Sequence, residues 1–68
     1  MRIMETIGKL YQDISREYAM LGLLFLKRDK GTISLDELSE GVRNRSNKIE
    51  ELSKEIRSIY SNAQTKQV

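Results

Sequence analysis

The sequence predicts an all-α fold: an antiparallel two-helix hairpin, coiled-coil-like, that assembles into a four-helix bundle or a larger helical oligomer. Three observations carry this. Apolar residues recur at spacings of three and four in both halves of the chain, which is the period of a helix and not of a strand. A single strong turn signal, centred on Gly31, separates the halves. No Pro interrupts either one.

The first helix is expected over residues 3–28. Ile3, Ile7, Leu10, Ile14, Leu21 and Leu24 follow one another at three, four or seven residues and so share one face. The second is expected over 35–61, where Leu35, Leu38, Val42, Ile49, Leu52, Ile56 and Ile59 form a heptad pattern with Arg45 out of character. With a at 7, 14, 21 and 28 and again at 35, 42, 49 and 56, one register serves both. Each helix would be about 40 Å long, so the two can lie side by side with their ends flush. The polar, aperiodic stretch 62–68 is expected to fray.

The turn, 29–34, admits two readings. "GTISLDE" resembles the end of an EF-hand loop, with Gly31 as the sharp-turn glycine and Glu37 as the twelfth ligand. The first half of that loop fails, because its ligand positions fall on Leu26, Arg28 and Lys30, an alkyl group and two cations. Calcium is therefore not expected. The same residues make a helix start: Ser34 as N-cap, Glu37 closing a capping box, and Ile33 with Leu38 as a hydrophobic staple. Asp36 and Glu37 suit the positive end of the second helix, and Lys27, Arg28 and Lys30 the negative end of the first. One continuous helical rod would leave this capping box without use.

Folding about position 31 brings together residues whose numbers sum to 62–64. Leu24, Leu10 and Ile3 then meet Leu38, Leu52 and Ile59, and Leu21, Ile14 and Ile7 meet Val42, Ile49 and Ile56. Glu17 falls opposite Arg45. An ion pair there would fix the register, since a slipped alignment buries an unpaired charge; the alternative is that both side chains snorkel to water.

Sixty-eight residues allow one domain, and a chain of this size buries only about 60% of its unfolded surface. Without Cys or His there is no disulfide, thiolate or imidazole to reinforce it. Association is the remaining route. A second stripe, Met4, Tyr11, Tyr18 and Phe25, recurs every seven residues at e, facing Ser39, Ser46, Ser53 and Tyr60. Near the turn the first helix is apolar all round, through Met20, Leu21, Leu23, Leu24, Phe25 and Leu26, and such a helix is buried on more than one side. Tyr11, Tyr18, Met20, Leu23, Phe25 and Leu26 are therefore the expected protein interface, for a second copy (a dimer above all) or a partner's helix.

No catalytic, cofactor-binding or metal-binding residue is expected, because without His or Cys a two-helix hairpin offers neither a tuned site nor a pocket to hold one. The functional expectation is a non-enzymatic protein–protein interaction module: a self-associating adaptor, chaperone-like subunit or regulator. The alternative is a helical dimer that binds nucleic acid, like Rop-type regulators in size and outline, without a residue match. The sequence pI of 9.1 favours it, but 12 basic and 10 acidic residues lie interspersed, which weakens any phosphate-binding stripe. "YAMLGLLFL" at 18–26 is too short to span a membrane. Met1, Arg2, Ile3 and Met4 run straight into Glu5 with no signal-type apolar region, so a cytoplasmic chain is expected.

Overall fold

The computed structural model describes residues 2–66, with side chains through Ala63. Two helices, α1 (Arg2–Asp29) and α2 (Leu35–Lys66), pack side by side as a hairpin. The first heptad seam supplies the contact. Leu10, Leu52 and Ile56 are buried, and Ile7, Ile14 and Ile59 pack against them half-covered. No side chain among the described residues is completely enclosed, as expected of one layer of two helices, where every seam residue has water within a side chain's length.

The reversal is set by local hydrogen bonds. At the end of α1 the Thr32 N–H donates to the Lys27 carbonyl and the Gly31 N–H to the Arg28 carbonyl, each at 2.9 Å. This is a Schellman ending, which needs a left-handed residue just past the cap; Gly31 supplies it at φ 75°. The Thr32 hydroxyl also donates to the Lys27 carbonyl at 3.0 Å. Arg28 does more than balance the helix dipole, since its Nη1 donates to the Ile33 carbonyl at 2.9 Å and ties the loop to α1. At the start of α2 the Glu37 N–H donates to Ser34 Oγ at 3.1 Å, and the Ser34 N–H donates to Glu37 Oε1 at 3.0 Å. Ile33 and Leu38, flanking that box, are both half-buried.

Two features, the end of α2 and the burial of Leu35, differ from the sequence reading. The polar stretch expected to fray from 62 is helical through Lys66, and Gln67 and Val68 lie outside the described residues. Ala63, Gln64 and Lys66 are good helix formers with no breaker before them, so propensity carries the helix beyond its apolar pattern. Leu35, although it holds an a position, is 61% exposed. Its level in the seam is that of Arg28, at the very end of α1, where no apolar partner exists.

Candidate protein-interaction surface

The seam continues through a charged layer. Arg45 Nη1 donates to Glu17 Oε1 at 3.0 Å, linking the two helices in the d position of each. Glu17 is only 9% exposed, whereas the Arg45 side chain keeps 38% of its surface in water. The asymmetry follows from length: a guanidinium on three methylenes reaches the carboxylate from the rim of the seam while part of it stays solvated. One level further toward the turn the helices approach closely at Gly41, where a Cβ would come within 2.8 Å of Leu24 Cδ1.

Beside this seam lies an apolar surface that neither helix covers. Tyr11, Tyr18 and Phe25, with Leu26 at the outer edge, are each more than half exposed on this side. Leu23, also more than half exposed, and Met20, just over a third, lie round the helix from them, beside a second hollow with Leu24, Lys27 and Arg45. The rings do not interlock with the serines opposite. Ser39 and Ser46 are themselves exposed and Ser53 is half-buried, so Tyr18 retains 59% of its surface above them. Small hydroxyls across the seam leave the aromatic flank standing proud of the hairpin.

At the open end of the hairpin the flank becomes concave. Met4, Ile7 and Tyr11 of α1 and Ile56, Arg57, Tyr60 and Ser61 of α2 line a groove of about 400 Å³. Met4 is the most exposed large apolar residue described, at 69%, and Tyr60 is half exposed. The sequence reading placed the interface at the turn-proximal end and left these two out of it, although the seven-residue recurrence from Met4 to Phe25 already put Met4 on the same stripe. The apolar flank therefore runs the whole length of α1.

Two ion pairs lie on the remaining described surface. Arg16 lies 3.6 Å from Asp13, and Lys54 lies 3.6 Å from Glu50. Among the described residues no group of acidic side chains is arranged to hold a metal ion, and no helix is long and apolar enough to cross a membrane. Glu37 is held below the usual carboxylate range, first by the Ser34 backbone N–H that it accepts and then by the Ser34 side chain; that role is structural, at the helix cap. No protein-family model, curated protein or solved structure matches the chain.

Proposed function

We propose that the hairpin is a non-enzymatic protein–protein interaction module that works through the aromatic flank of α1. The observation that carries this is the balance of its apolar side chains. Three are buried, while ten large ones stand exposed, most of them on α1. Exposed apolar residues scattered singly are ordinary, but a contiguous strip along one helix marks a surface meant to be covered. Tyr, Met and Phe are also the residue types that interfaces favour: the two rings bury large area with few rotamers to freeze, and the flexible Met thioether adapts to the surface it meets.

The roles such a module serves are those of an adaptor, a chaperone-like subunit or a regulator in a larger assembly. A phosphate-binding reading gains nothing from the charges. Basic and acidic residues are interspersed along both helices, as Asp36, Arg43, Glu50 and Arg57 show on α2, so no stripe of one sign forms to follow a phosphate backbone.

The test is photo-crosslinking in cells with benzoylphenylalanine placed at Tyr18 or, as control, at Asn47 on the polar face of α2. A protein adduct from position 18 and none from 47 is the expected result. Equal labelling at both positions, or none at 18, would refute an interaction surface on α1.

A further inference from the structure

Building on that reading, we infer that the occupant of the flank is a second copy of this chain, docked antiparallel across a two-fold axis that crosses α1 between residues 14 and 15. The first argument is area. A compact monomer of 7.9 kDa exposes about 4,400 Å². This hairpin exposes 5609 Å². The excess, about 1,200 Å², is more than the roughly 800 Å² that each partner buries in a standard interface. The shape explains it: the chain extends 54 × 17 × 10 Å, a single layer of helices with two broad faces. A second layer is what completes a helical core.

The second argument is complementarity within one chain. The flank is concave at the open end of the hairpin, in the groove beside Met4 and Tyr11, and near the turn carries the large exposed side chains of Phe25 and Leu26. An antiparallel two-fold lays Phe25 of each copy level with the other's Met4, and Tyr11 level with Tyr18, so each knob meets a groove twice over. A two-fold parallel to the helices would exchange the helix positions and lay α1 of each copy over the partner's α2, leaving Phe25 away from the partner's groove.

Charge gives the same answer independently. On the same side of the hairpin α2 carries Asp36, Arg43, Glu50 and Arg57, seven residues apart and alternating in sign. Antiparallel docking brings Asp36 towards the partner's Arg57 and Arg43 towards the partner's Glu50. A two-fold parallel to the helices would set this row against the partner's apolar α1 with no opposite charges to meet. The centre of this array, between 46 and 47, lies about one residue from the level that the Glu17–Arg45 contact assigns to the axis, an offset of about 1.5 Å that long side chains absorb.

The chain has no cysteine, so single thiols report geometry directly. Ser15→Cys, beside the axis, is expected to oxidise to a disulfide-linked dimer at least tenfold faster than Met4→Cys, whose two copies would stand about 30 Å apart along the helices. Gly22→Lys is the folding-safe variant. A Cβ at Gly22 meets nothing within 4 Å, and Lys is the better helix former, so the hairpin keeps its helicity while association weakens at least tenfold. Met4→Cys linking as fast as Ser15→Cys overturns the antiparallel arrangement. Linking no faster than in urea, or Gly22→Lys associating like the natural chain, overturns the second copy. In that event an adduct of other mass at position 18 in cells would keep the interaction module with a foreign partner, and no adduct there would remove both.

Discussion

Replacing Arg45 with Met should cost far more than replacing Glu17 with Leu, although both break the same 3.0 Å contact. The Glu17 side chain is 11% exposed and has no other hydrogen-bond donor in the structure's bonds, so Arg45→Met strands a carboxylate in the seam. Breaking a buried pair this way costs about 3–5 kcal/mol. The lower end applies here, about 3 kcal/mol, because Arg45 itself is 38% exposed and its attraction is already screened. Glu17→Leu leaves only the arginine, which can swing into water from its stem, and adds apolar area to the seam; it should cost under about 1 kcal/mol. The double variant Glu17→Leu, Arg45→Met should recover most of the loss, for a coupling of about 2 kcal/mol or more. Urea unfolding followed by circular dichroism at one fixed protein concentration measures all four corners. Equal costs for the two single changes, adding without coupling to the double, would refute the claim that the layer is held by the carboxylate's burial.

Three further outcomes follow from the geometry. By proton titration in NMR, Glu37 should lose its charge at a pH below the usual carboxylate range and move only part of the way back in Ser34→Ala, because the backbone N–H of residue 34, the larger of the two causes, remains when the hydroxyl is removed. Its folded form is the more acidic one, so its contribution to stability is complete above the unfolded carboxyl's range and is lost as pH falls through the lowered folded value. Gly8→Ala, where a Cβ has open space, should stabilise the hairpin by up to about 1 kcal/mol in urea unfolding. Gly41→Ala should gain clearly less or lose, because Leu24 must move aside, and Gly31→Ala should destabilise by about 1–2 kcal/mol at φ 75°. Leu52→Ala should cost about 2–5 kcal/mol, whereas Leu35→Ala, at the uncovered end of the seam, should be near neutral by the same measurement.

The hairpin itself was written plainly in the chain. Heptad spacing accounts for both helices, and Gly31 as a stop signal and Ser34 with Glu37 as a start signal stand only three positions apart, with the geometry those residues require. The heptad arithmetic put Glu17 and Arg45 at one level and left two outcomes, a bond across the seam or both side chains in water; the structure has the bond. What escaped the sequence has local causes. The end of α2 at Lys66 depends on helix propensity without an apolar period to announce it. The close approach of Gly41 to Leu24 joins a g to a d position, outside the a and d layers that a heptad argument aligns. The groove beside Met4 needs the actual gap between Ile7 and Ile56, and Arg28 bonding the Ile33 carbonyl needs the shape of the loop. The aromatic flank was visible as a stripe; that serines opposite it fail to cover the rings became visible only with their exposure.

Sedimentation equilibrium of the purified natural chain, from low micromolar to submillimolar concentration, tests the self-association most directly, read together with its helical circular dichroism. The expected result is a species of twice the 7.9 kDa chain mass whose helicity falls only as the dimer dissociates. A single 7.9 kDa species that stays fully helical and unfolds at the same urea concentration throughout the range would contradict it, for the flank of α1 would then be stable in water without a second copy.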